Sequence, residues 1–210
     1  MKDRQFSRRD FFYLCLGGGL LAASYPLARV ISQSRAGNKK QAFAPTPSNT
    51  LGPFYKKGAP RTERLIERNE PGVPLLVTGR IINTDGQSLP TATIEVFHSD
   101  HHGDYDNQGF HHRGQIPVHD SGEYKFETIM PGQYDDRAQH IHYVITAPGH
   151  KQLVTQLYFE TDPKFAGDPD TNYTRDNLVW HRELIRPVTK VAKGGVSYSS
   201  VVFDICLEKA

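Results

Sequence analysis

The sequence predicts an all-β fold, a single β-sandwich of mostly antiparallel strands with long loops that carry the candidate site. Two observations carry this. Apolar residues recur with a period of two in short runs, as in Ala92, Ile94 and Val96 or Val201, Phe203, Ile205 and Leu207. The runs stop at turn signals such as Asp85-Gly86, Pro131-Gly132 and Pro148-Gly149. No amphipathic helical pattern of useful length competes with them.

The chain opens on an address. Residues 1–9 are basic, and from Phe11 to Ala28 no charge occurs. Ser7-Arg8-Arg9-Asp10-Phe11-Phe12 resembles a twin-arginine export signal, and Gly17-Gly18-Gly19 is a poor interior for a packed helix. Export to the periplasm or cell envelope follows as the expectation, with cleavage near Ala42-Phe43-Ala44 or Ala22-Ala23-Ser24. An uncleaved membrane tether through residues 11–28 is the alternative, since the uncharged span is just long enough to cross a bilayer. Residues 32–50 are polar and proline-punctuated and read as a linker. Signal and linker occupy 1–44, and the domain occupies 45–210.

That leaves about 165 residues, enough for one ordinary core. A net charge of +2 with 23% charged residues excludes a nucleic-acid partner as the working hypothesis. Cys15 lies in the signal, so Cys206 is alone in the domain and no intrachain disulfide can form.

Strands are expected at Pro74–Ile82, around Ala92–Val96, at Glu123–Ile129, His140–Ala147, Leu153–Phe159 and Val201–Leu207. Residues 161–181, rich in Asp, Pro and Asn, form a long connection with room for one short helix. All ten histidines lie from His98 onward. His140 and His142 are two apart on a strand, so both imidazoles project from one face with Cβ atoms ~6–7 Å apart, able to converge on one metal ion. Tyr134 and Arg137 lie just upstream, and Tyr105 sits in the loop-like Gly103-Asp104-Tyr105-Asp106-Asn107. Phenolate and imidazole together suit a hard, oxidised ion such as Fe(III), whereas zinc sites are usually built from Cys, His and carboxylate. The adjacent pairs His101-His102 and His111-His112 read as solvated loop residues, because neighbours in an extended segment point opposite ways. Asp135 and Asp136 read as turn residues.

Several segments together carry a family resemblance. Gly52-Pro53-Phe54-Tyr55, Gly79-Arg80-Ile81-Ile82, Glu95-Val96-Phe97-His98-Ser99-Asp100 and Gly103-Asp104-Tyr105 occur in order. They are followed by Arg113-Gly114, Gly122–Phe126, Thr128–Tyr134, Arg137–His142 and Thr155–Phe159. This series resembles the intradiol ring-cleavage dioxygenases, with the protocatechuate 3,4-dioxygenase branch nearest in size. The resemblance implies a non-haem Fe(3+) held by Tyr105, Tyr134, His140 and His142. It implies that Tyr134 leaves when a catechol-type substrate binds, that Arg137 stabilises developing negative charge, and that Gln156 supports from behind. O2 and a small aromatic diol are then the substrates, a cis,cis-muconate-type diacid the product, and a homo-oligomer the expected assembly. This chain departs from the family in a two-residue connection between Tyr134 and Arg137 and in Phe97, where the family usually has Trp. The short connection suggests an open pocket that admits a larger or polymer-derived catechol. Two alternatives compete. One is a transthyretin-like binding or structural sandwich without ring-cleavage chemistry. The other is a zinc hydrolase using His140, His142 and a carboxylate, disfavoured by the lack of a His-Glu-x-x-His signature.

Overall fold

The structure, a computed structural model, describes residues 43–193 and 196–210 of the 210. The proposed export signal lies outside the described residues. Ten strands form two mixed sheets facing each other, which is the expected sandwich.

The first sheet is built around β1 (Pro74–Asn83). On one side β1 pairs antiparallel with β4 (Glu123–Ile129). On the other it pairs parallel with β9 (Val196–Val202) and then with β10 (Ile205–Leu207). β8 (Val188–Lys193) pairs antiparallel with β9 and closes the edge. The single alternating run expected at 201–207 is thus broken at Phe203-Asp204. The break costs the sheet little, because the Arg80 amide donates to the Asp204 carboxylate (2.9 Å) in place of a ladder carbonyl. Alternation survives it: Val201, Phe203, Ile205 and Leu207 are all buried.

The second sheet runs β3 (Arg113–Ile116), β2 (Thr93–Phe97), β5 (His140–Thr146), β6 (Leu153–Phe159), β7 (Ile185–Arg186). Its pairings are antiparallel except β6·β7. β3, β7 and β8 were not expected from the sequence. Arg113-Gly114-Gln115-Ile116 is short and half polar, and β7 is two residues long, so neither displays a period.

Between the sheets lies one apolar core. β1 gives Leu75, Val77 and Ile81, β4 gives Tyr124 and Phe126, β2 gives Ile94 and Val96, and β5 gives Ile141, Tyr143 and Ile145. Each is essentially solvent-free and contributes roughly 1.5–3 kcal/mol of transfer free energy. Because successive side chains alternate, the residues between these on β5 point to the other face. That outer face is also buried, for loops cover it. The first loop is residues 46–56, whose composition reads partly as linker. It is tied down by Thr46 N to Cys206 O (2.9 Å), Asn49 N to Val154 O (2.8 Å) and Gln156 Nε2 to Thr50 O (2.7 Å). The last is the 160–184 connection, which holds one α-helical turn, α1 (Pro169–Asn172), among three short 3-10 segments.

Candidate metal centre

Strand register alone sets a row across the outer face of the second sheet. Arg113 pairs with Phe97, Phe97 with His142, and His142 with Gln156. The next row pairs His140 with Tyr158. The Phe97 ring stacks on His142 at 4.3 Å with the planes 2° apart, and the Arg113 guanidinium lies over Phe97 at 5.3 Å. Register thus places His140, His142 and Gln156 on one surface.

His140 Nε2 and His142 Nε2 approach to 3.1 Å, and Tyr105 Oη lies 3.2 Å from His140 Nε2. Three donor atoms converge on one point. His140 Nδ1 donates to the Ala138 carbonyl (2.6 Å), so in the neutral ring Nε2 carries the lone pair that faces this point. Burial holds the His140 pKa down at about 4, and Arg137 adds to it; His142 is held well below the usual imidazole value by burial and by His140. Burial pushes the Tyr105 phenol up, so it gives up its proton only to a strong compensating cation. Such a cluster of buried, neutral imidazoles beside a phenol fits an iron ion. The separations of about 3 Å are those expected between ligand atoms each ~2.0–2.1 Å from a common metal.

Two loops bring the tyrosines together. The Tyr105 loop and the Tyr134 loop cross where Gly132 N donates to Asp100 O (2.7 Å) and Ser99 Oγ to Gly132 O (3.1 Å). The crossing leaves no room for side chains: a Cβ on Gly103, itself at φ +99°, would lie 2.1 Å from Gln133 O. Tyr105 stacks on Phe54 (4.2 Å, 11°), and Tyr134 meets both rings edge-on, at 5.0 Å from Phe54 and 5.6 Å from Tyr105. Tyr134 is half-buried, and its hydroxyl makes no hydrogen bond among the described residues. Asp135 and Asp136 are the turn the sequence predicts. Arg137 N donates to Tyr134 O (2.9 Å), and Asp135 takes the left-handed conformation at φ +51°.

Arg137 is held from three directions. Its Nε donates to Asp176 Oδ1 and Oδ2 (3.0 and 2.9 Å), and its Nη2 donates to Gln156 Oε1 (2.9 Å) and Tyr158 Oη (2.8 Å). Gln156 thereby bridges Arg137 and the Thr50 carbonyl. Asp176, Tyr158, Phe54 and Arg113 were not singled out from the sequence. Register would have exposed Tyr158, the strand partner of His140. Nothing local marks Asp176 among the acids of 161–181. Its fully buried carboxylate also accepts from Ala138 N (2.8 Å) and Leu178 N (2.9 Å), which locks the connection over Arg137.

The histidine pairs divide. His102 is exposed, as expected of a loop residue, but its ring meets that of His101 at 3.8 Å instead of pointing away from it. His111 and His112 correct the sequence reading: His112 is buried, and the two rings stack at 4.0 Å instead of pointing apart. Both residues lie in a turn, with His112 left-handed at φ +53°, where extended-chain alternation does not apply.

Comparison with known proteins adds the family. A dioxygenase family profile matches residues 50–209. The chain belongs to that dioxygenase family. It is 31% identical to "Catechol 1,2-dioxygenase 2" of Acinetobacter lwoffii over 77% of this chain and 68% of the relative. It is 32% identical to "Hydroxyquinol 1,2-dioxygenase" of Nocardioides simplex over 85% of this chain and 70% of the relative. Among solved structures, it superposes with a TM-score of 0.67 on the dioxygenase domain of a dioxygenase carbohydrate-binding protein fusion from the cellulolytic bacterium Streptomyces sp. SirexAA-E. That match has 30% identity and covers 80% of this chain and all of that domain. The chain spans between 52% and 72% of the lengths of its curated relatives. The intradiol ring-cleavage dioxygenase resemblance drawn from the motifs stands on these matches, and with it the assignment as an enzyme.

Proposed function

We propose that the chain is a non-haem Fe(III) dioxygenase that opens a catechol-type ring between its two hydroxyl-bearing carbons to give a cis,cis-muconate-type diacid. The observation that carries this is the convergence of Tyr105 Oη, His140 Nε2 and His142 Nε2 beside a clamped Arg137. Tyr105, Tyr134, His140 and His142 would hold the ion. When bound, iron supplies Lewis acidity and the electronic coupling that lets a catecholate react with O2. The mass balance is simple, because the diacid contains the diol plus both atoms of O2 and needs no further reductant.

The chain's own groups do the rest. His140 and His142 stay neutral and offer lone pairs. Tyr134, half-buried and without a hydrogen bond among the described residues, would be the ligand that gives way to a catechol. Arg137 keeps Nη1 without a hydrogen bond among the described residues while Nε and Nη2 are committed. Nη1 is the donor left for negative charge developing on the substrate, and a fixed guanidinium needs no reorganisation at that moment. Phe54 and Phe97 form dry walls behind the tyrosine and histidine ligands. Tyr134 and Arg137 stand at the two ends of one turn, which keeps this side of the site low and suits a bulkier catechol. Export by the twin-arginine route, loaded with iron beforehand, is our reading of the first 30 residues. Replacing Arg8 and Arg9 by Lys should leave the protein in the cytoplasm.

Oxygen uptake by the iron-loaded protein with a panel of catechols, with products identified by mass, tests the reaction. Diacids support it. Ring-opened aldehydes would overturn the intradiol assignment. Turnover of simple protocatechuate alone would overturn the open-pocket reading.

A further inference from the structure

We propose a second metal site, independent of the iron centre, in which Glu70, His111 and His112 hold a divalent transition cation of the zinc class. Their three ligand atoms all lie within 4.8 Å of one another. His111 Nε2 is 3.4 Å from Glu70 Oε1, and His112 Nε2 hydrogen-bonds the same oxygen. Ligands at ~2.0–2.2 Å around a tetrahedral ion stand about 3.3–3.6 Å apart, so the His111–Glu70 spacing already suits a shared ion. The shorter His112–Glu70 contact has to open for a shared ion to enter.

Three features separate this cluster from a chance surface grouping. His111 Nε2 is shielded from solvent yet has no hydrogen-bond partner. The Glu70 and His112 side chains are 8% and 2% exposed, so the carboxylate is not a solvated surface acid. The left-handed backbone at His112 is an uncommon conformation for a residue with a side chain. Two imidazoles and one carboxylate form a donor set common to zinc, with a fourth position left for water. The rest of the surroundings support it: His98 stacks on His112 at 4.7 Å, and Glu70 Oε2 accepts from Glu67 N (2.8 Å), fixing the carboxylate's orientation.

The site's place in the fold gives it a role. Glu70 lies in the connection that enters β1 of the first sheet. His111 and His112 end the Tyr105 loop and lead into β3 of the second. A bound cation would clip the two sheets together at the base of the loop that carries Tyr105.

The test uses the full-length, iron-loaded protein titrated with Zn2+ against a chromophoric chelator, with zinc and iron counted by mass spectrometry. One zinc per chain is expected beyond the iron, with the visible iron band unchanged and the thermal midpoint raised. Glu70→Gln and His111→Ala should each weaken zinc binding by ~100-fold or more, beyond what loss of a merely supporting residue does. His111 is partly exposed, so its variant should keep the fold, and His101→Ala should bind zinc like the parent. Failure to bind zinc tightly, affinity in Glu70→Gln and His111→Ala equal to that of the parent, or zinc uptake at the expense of iron would each overturn the proposal.

Discussion

The two sheets of this sandwich share a core but live in different solvents. On β1 of the first sheet, burial alternates residue by residue, and its outer face opens on a groove lined by Arg80, His119, Glu123 and Lys125. On β5 of the second sheet, six consecutive residues are buried, because loops roof its outer face. Histidine and arginine on the first sheet are ordinary surface groups. The same residue types on the second lose water, so imidazoles stay neutral and an Arg–Asp pair becomes rigid. The chemistry follows the roof rather than the strand.

Breaking the roofed face should therefore cost most. His142→Ala should lower iron content and oxygen uptake by more than the ~10–100-fold typical of losing a residue that only supports a ligand. A variant with full iron and turnover would remove His142 from the site. Next is Asp176→Ala, which strands Arg137 without its carboxylate at 14% side-chain exposure. Breaking such a pair costs about 3–5 kcal/mol, readable as a lowered urea midpoint together with reduced turnover. An unchanged midpoint would mean the clamp is not rigid.

A smaller loss is expected from Gly52→Ala. Gly52 sits at φ +72°, with its would-be Cβ 3.1 Å from His142 Cε1. The left-handed backbone alone costs roughly 1–2 kcal/mol with a side chain, and the added methyl should also weaken iron retention. In the iron-free protein, His140 titrates near 4 rather than near 6.5. The unfolded chain then binds more protons between those values, so stability should fall as the pH drops from about 6.5 to 4. A flat urea midpoint across that window would contradict the buried, neutral imidazole. At the bottom of the scale, Arg80→Ala on the open sheet removes an ion pair with Glu123 whose members are 63% and 51% exposed. Midpoint and turnover should stay within error.

The same contrast decides how much could be read from the sequence. Alternation announced β2 and the Val201–Leu207 end, while β1, β4, β5 and β6 were legible as short runs stopped by turn signals. The His140/His142 pair was legible because period two places both on one side. Parallel pairing of β1 with β9 and β10 left no such trace, being a fact of chain path across more than a hundred residues. The roof was harder still. Residues 45–50 look like linker because their prolines and hydroxyls satisfy no period, yet their backbone bonds the sheet. Asp176 looks like any loop acid, and only its burial 39 residues after Arg137 gives it meaning. Both histidine pairs defeated a sound rule about neighbours because they sit in turns, not in extended backbone.

The central claim is that the roofed face holds ferric iron through its tyrosines as well as its histidines. The visible spectrum of the iron-loaded protein tests it directly, in the parent, Tyr105→Phe and Tyr134→Phe. A tyrosinate-to-iron absorption that makes the parent reddish, and that shifts or is lost in each variant, is the expected result. Iron-replete protein whose spectrum is identical in all three would contradict the site.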